Sequence, residues 1–388
     1  AAPPATLAMH PAAVSVAGAS VPHENRIPFL AMSYIISMTG VQPKTATNPY
    51  LSEMRVFSWP DIPQGWLPCE GQLLPISSNT VLFSLFGNAY GGDGKTTFAL
   101  PDLRGRVPMN TSGAMPIGQK GGEATHVLTT AEIPQHSHLA VASAEVPNAN
   151  TPAGNYWASF TGFLPYNPKS DTTMDGTALT STGGNVAHEN MAPFVTVSIC
   201  IAIQGIYPLG QATSDQYLGE VRMFGGSGIP TGWARCDGSL MLISANTALF
   251  SLLADVYGGN GVSTFGLPNL SGRASIGAGD GAGLSSYVIG DSGGKETWTL
   301  SVVEMAAHSH VAMANQAGTL GPPGGAVWAN PSTTRPAPNF FANNPAKTTT
   351  MNKGAFGTVG GTQPHNNLMP YTTIAFYIAL QGEFPHRG

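Results

Sequence analysis

Charged side chains are scarce in this sequence: Asp, Glu, Lys and Arg make up 10% of its 388 residues, against about 25% in an ordinary soluble domain. The net charge of −5 leaves no basic excess, so nucleic acid is not an expected partner. Cysteine is almost lacking. Cys69 and Cys236 stand at the same position of a repeat (Pro68-Cys69-Glu70-Gly71 and Arg235-Cys236-Asp237-Gly238), and Cys200 lies in an apolar run. An odd count with two equivalent positions argues for buried free thiols and against a disulfide framework. No apolar run reaches the roughly 18 residues of a spanning helix, so no membrane insertion is expected. The start, AAPPATLAMHPAA, has no charged region followed by an apolar core. It does not read as a signal peptide, though it suits the mature end left after one is removed. Ser-His-Asp spacing, a phosphate loop, Cys-x-x-Cys and His-Glu-x-x-His are all missing. The expectation is a protein that is not an enzyme.

Glycine and proline are abundant, at 48 and 32 residues, and 42% of the chain is hydrophobic. That is enough apolar content for real cores, in a loop-heavy, mainly β chain of the kind found outside cells or in assemblies. The dominant pattern is a block that occurs three times: GASVPHENRIPFLAMSYIISMTG at 18–40, GGNVAHENMAPFVTVSICIAIQG at 183–205 and GGTQPHNNLMPYTTIAFYIALQG at 360–382. His23, His188 and His365 stand in register, as do Asn25, Asn190 and Asn367. Spacings of 165 and 177 residues are domain-sized, far above the roughly 20–50 residues of a solenoid repeat. The chain therefore divides into an orphan closing block at 1–47 and two full repeats at 48–210 and 211–388.

Each full repeat opens with a short strand at 53–57 or 220–224, followed by Pro-x-Gly-Trp and Cys-(Glu/Asp)-Gly. Leu82, Phe83, Leu85, Phe86 and Tyr90 then fall at helical spacing. Asn79 and Asn246 are the expected N-caps, and Gly91-Gly92 and Gly258-Gly259 the expected stops. A second short helical turn is expected at 129–134 and 301–306. The copies diverge at about 140–180 and 312–357, where different surfaces can be mounted on one scaffold. Long apolar strands at 195–203 and 372–380 close the repeats, with 29–38 as the orphan counterpart, and such runs suit strands buried on both faces. The fold class is mainly β and loop-rich, with one short amphipathic helix per repeat.

The ordered string Pro-x-Gly-Trp, Cys-(Asp/Glu)-Gly, LeuPheSerLeu, TyrGlyGly, ThrPhe-x-LeuPro-(Asp/Asn)-Leu, Gly-Arg, His-Ser-His, His-x-Asn resembles the phage tail collar domain, also known as the microcystin-dependent protein family. The resemblance covers about 52–208 and 219–385, so the chain reads as two tandem tail-collar-like domains plus an N-terminal orphan strand block. It implies a β-rich fold from short tail fibres, usually trimeric, with a structural or receptor-binding role. Asp102-Leu103-Arg104 becomes Asn269-Leu270-Ser271 in the second copy, which should lose a salt bridge.

Residues i and i+2 of an extended segment point the same way, so His136/His138 and His308/His310 each aim two imidazoles at one point. The resemblance implies a metal held by such pairs around a threefold axis, and zinc or iron suits imidazole. The alternative is that these histidines bond to loops, and no cofactor is required by the rest of the chain. His23, His188 and His365 read as loop-fixing residues, and Arg104, Arg106 and Arg273 with Asp102, Glu70 and Asp237 as loop-fixing ion pairs.

The leading functional expectation is a structural subunit of an extracellular or virion-associated fibre. In it the orphan strand (Phe29, Leu30, Met32, Tyr34, Ile35, Ile36) completes a neighbouring copy as a donor strand. Within the same chain, a pseudo-threefold unit in which all three closing strands are satisfied internally is the other arrangement. The second functional class is an adhesin or tail-fibre tip protein that binds a cell-surface glycan or receptor through aromatics such as Tyr156, Trp157 and Trp328.

Overall fold

In a computed structural model the described residues are 7–8, 11–35, 49–58, 62–138, 140–143, 148, 156–158, 179–180, 186–209, 215–306, 308–310, 313–315, 328–329, 341–342, 348–350, 356 and 358–385. They are mainly β, with two short helices, one per collar repeat. Two compact units emerge, and each is assembled from three separate stretches. One comprises 24–126, 189–297 and 366–388, and the other 1–23, 127–188 and 298–365. The boundaries at 47/48 and 210/211 mark repeats along the chain, whereas both units draw on all three copies.

The larger unit holds an eleven-stranded sheet. Its longest strand, Tyr371–Ala379, is buried at all nine positions, because other strands line it along both halves. Its second half pairs antiparallel with Val221–Phe224 and Trp233–Arg235 of its own repeat. Its first half pairs parallel with Val107–Asn110 of the preceding repeat, Tyr371 opposite Val107. The closing strand of the first repeat forms only over Ser198–Ala202, antiparallel to Glu53–Phe57 and Trp66–Pro68. The orphan strand forms only over Phe29–Met32, parallel to Ala274–Gly277 with Phe29 opposite Ala274. The expected strands at 195–203 and 29–38 are thus shorter than their apolar runs, because Ser198–Ala202 is flanked by strands of the first repeat only and Phe29–Met32 by strands of the second only, whereas Tyr371–Ala379 is flanked by strands of both. The donor expectation changes with it: Phe29, Leu30 and Met32 pair inside this chain, Tyr34 and Ile35 lie beyond the strand, and Ile36 is outside the described residues.

The helices Thr80–Phe86 and Thr247–Leu253 sit at equivalent positions, with Leu82, Phe86 and Leu249 turned into the core beside Phe98, Leu100, Phe265 and Leu267. Asn79 and Asn246 do precede the helices, but neither side chain caps; their Nδ2 atoms donate backwards to Pro75 O and Leu242 O at 3.0 Å. The helices stop earlier than the Gly-Gly pairs, at Gly87 (φ 54°) and Ala254 (φ 48°). Gly92 instead permits a close approach, since a Cβ there would lie 2.5 Å from Phe98 Cα. Cys69, Cys200 and Cys236 are buried and free, and burial pushes all three thiols up.

Ion pairs follow the repeat. Asp102 holds Arg104 at 3.0 Å and Arg106 at 3.1 Å, while Arg273 in the second copy has only the carbonyls of Asn269 and Ser271. A pair that the sequence reading missed joins the two collar segments: buried Arg222 donates to buried Glu53 at 3.1 Å. Burial works to lower the Arg222 pKa, but Glu220, Glu53 and Asp215 outweigh it and hold the guanidinium charged.

Candidate functional site

The smaller unit carries the imidazoles. The turns at 129–134 and 301–306 form as expected, closed by Thr129 and Ser301 donating from backbone and hydroxyl to Glu132 and Glu304. The extended segments after them hold the two His-Ser-His pairs. His136 exchanges backbone hydrogen bonds with Val359, and His308 with Ala17. Ala17 and Val359 are equivalent positions just ahead of the His-x-Asn motif, so the His-Ser-His segments are each tied to the approach of a different closing block.

The geometry brings three of the expected ligands together. His308 Nε2 lies 3.2 Å from both His136 Nε2 and His138 Nε2. His310 adjoins the group, its ring 4.7 Å from that of His138. Every Nδ1 has a backbone carbonyl: Pro134 for His136, Ser15 for His138, Ala306 for His308 and Thr180 for His310, at 2.7–2.9 Å. Those bonds place the proton on Nδ1 of a neutral ring and leave a lone pair on Nε2. Lone pairs 3.2 Å from that of His308 on two sides, all three ligand atoms within 4.8 Å of one another, repel unless a cation or a proton lies among them, and nitrogen ligands about 2.0–2.1 Å from zinc have similar spacing. Carbonyl-fixed Nδ1–H groups are also the usual outer support of metal-bound imidazole. His136, His138 and His308 therefore fit a borderline metal such as zinc or iron, and the carbonyl bonds that were the alternative reading are part of the same arrangement. Burial, followed by the charges of the neighbouring imidazoles, holds the His138 pKa below 6.5.

A second imidazole cluster lies in the same unit. His23, His188 and His365 meet ring to ring with centroids 5.4–5.5 Å apart and planes at 86–87°, an almost threefold arrangement over which Trp298 stacks on His23. Their ring nitrogens lie within 4.8 Å of one another. Each had read as a separate loop histidine. The signal that could have united them was the register of the three blocks.

The asparagines of the same motif, in the larger unit, close a ring. Asn25 Nδ2 donates to Met191 O (3.4 Å), Asn190 Nδ2 to Leu368 O (3.2 Å) and Asn367 Nδ2 to Arg26 O (3.2 Å). Each carbonyl belongs to the residue after the next copy's asparagine, so the bonds run from the first block to the second, to the third and back to the first. The ring has threefold character, and one chain makes it alone. The repeat positions also match a known family. Residues 52–108 and 219–275 each match the Phage Tail Collar Domain. The protein carries two phage tail collar domains. No curated protein matches the chain.

Two of the three aromatics expected to contact a glycan are not at the surface. Tyr156 and Trp157 are buried, on a strand at 156–158 enclosed between strands at 141–143 and 341–342. At 1% and 5% exposure the two rings offer no open face to a sugar. The side chain of Trp328 lies outside the described residues. Among the described residues no helix is long and apolar enough to cross a membrane.

Proposed function

We propose that this collar-domain protein is a non-catalytic structural subunit of a virion-associated or extracellular fibre, in which one polypeptide takes the place of a collar trimer. The observation that carries this reading is the closed ring Asn25, Asn190, Asn367, supported by the closing strand Tyr371–Ala379, whose two halves pair with collar segments of different repeats. Tail collar domains point to a phage-tail-like structural role, and pairing of Phe29–Met32 within the chain limits any donor-strand polymerisation to the residues beyond Met32. Zinc or iron at His136, His138 and His308 would pin the smaller unit and need take no part in chemistry. The glycan-binding reading lacks support from Tyr156 and Trp157, which are buried. Immunogold labelling with an antibody to this chain should decorate virion tails or surface appendages of its source; label confined to the cell interior would overturn the assignment.

A further inference from the structure

Three closing blocks accompany only two collar segments, and the unequal count leaves a consistent trace. Val107–Asn110 lies parallel to Tyr371–Ile374, and Ala274–Gly277 lies parallel to Phe29–Met32 in the same register. The third member of that series is Phe194–Val197, which among the described residues has no collar strand beside it. In the other half, Ser198–Ala202 and Ala375–Ala379 pair with the opening strands of their own repeats, Ile201 opposite Met54 and Ile378 opposite Val221. The third member there starts at Ser33, and its described residues, 33–35, lie beside no described collar strand.

Exposure follows the same count. Val195 is 86% exposed, whereas its equivalents Leu30 and Thr372 are 4% and 0%. Ile35 is 93% exposed, whereas its equivalents Cys200 and Tyr377 are 1% and 0%. Tyr217, at the mouth of the second collar segment, is 51% exposed; its equivalent Tyr50 is fully buried against Phe224 and Trp233 of the next segment. Phe194 and Val197 are exposed as well. Each apolar group is buried wherever a collar segment stands beside it and bare where the series calls for one more.

The geometry points to a docking surface, formed by Tyr34–Ile35, Phe194–Val197 and Tyr217, for a third collar segment of the 52–108 pattern supplied from outside residues 1–388. Both collar segments within 1–388 are already engaged, so neither is the occupant. That segment would lay the counterpart of Val107–Asn110 along Phe194–Val197 in parallel and the counterpart of Glu53–Phe57 against the residues after Met32. Recognition is strand addition, with backbone hydrogen bonds for affinity and alternate apolar side chains for register. It rests on pairing and burial, and stands whether or not the assembly is a fibre.

The test uses Val195→Cys and Ile35→Cys as reporters, since the three native thiols are buried. In the chain alone both react freely with a thiol reagent. Residues 49–165 are then fused ahead of Ala1, which stands in register with Tyr166, to provide a third collar segment in its natural order. Both reporters are expected to slow by roughly tenfold or more, as for closed local structure. If the fusion is insoluble, residues 216–342 replace 49–165. Reporters that stay reactive, protection of only one of the two, or insolubility of both fusions would overturn the proposal. Protection already present in the unfused chain would make the occupant a second copy and overturn the assignment to a third collar segment.

Discussion

Ala254 keeps a side chain where the first repeat has Gly87. Both residues end the amphipathic helix at positive φ, 48° and 54°, with ψ near −130°, a region that costs a residue with a Cβ of order 1–3 kcal/mol. Ala254→Gly should therefore stabilise the larger unit by about 1 kcal/mol, and Gly87→Ala should destabilise it by a similar amount. The midpoint of urea denaturation, with unchanged slope, checks both. Asn190 is fully buried and its Nδ2 bonds Glu123 O and Leu368 O. Removing it deprives the part-buried Glu123 O of this donor and Leu368 O of one of its two donors, the other being Glu123 N, so Asn190→Ala should cost roughly 1–3 kcal/mol by the same measurement.

His138 gives the pH dependence. Its folded pKa lies below 6.5, so the unfolded chain binds the proton more tightly. The contribution of this group to stability is full above pH 6.5 and is lost as pH falls from there towards the lowered value. Protonation also removes the Nε2 lone pair. Zinc or iron bound to the purified protein at pH 7.5, read by elemental analysis, should be released on titration below about pH 6 and should be absent from His308→Ala. Metal retained by His308→Ala would place it elsewhere.

The closing strands carry the lesson at the scale of elements. Their apolar residues, their register across three copies and the helix at 80–86 were legible as sequence patterns, because periodicity and equivalence are local properties. Where each strand ends was not legible. Leu30 and Ile35 are both apolar and five positions apart, yet one is buried and the other bare, since strand length here depends on which collar segment lies alongside. Leu30→Asp should accordingly cost several kcal/mol, by burying a charge, and Ile35→Asp should change stability by less than about 0.5 kcal/mol. Thermal melts of the two variants decide the point, and equal effects would contradict the divided strand.

At the scale of the molecule, satisfaction of the ring and of Phe29–Met32 within one chain predicts a monomer of 40.1 kDa in dilute solution, read by light scattering. Deleting residues 1–43 should not leave two intact domains. It removes Phe29, Leu30 and Ala31 from the core and uncovers Ala274–Gly277, at a loss of about 1.5–3 kcal/mol for each large buried side chain. Loss of cooperative unfolding in the truncated chain is the expected result.

By itself the sequence determined the collar assignment, the free buried thiols, the single helix per repeat and the candidate ligands at the His-Ser-His pairs, because each is written in a contiguous motif. Only the tertiary structure decided that the three His-x-Asn motifs converge, that Tyr156 and Trp157 face inward, and that the orphan strand is taken up by the second repeat. Those outcomes depend on which stretches become neighbours across 165 residues or more, and no local pattern of side chains encodes that choice.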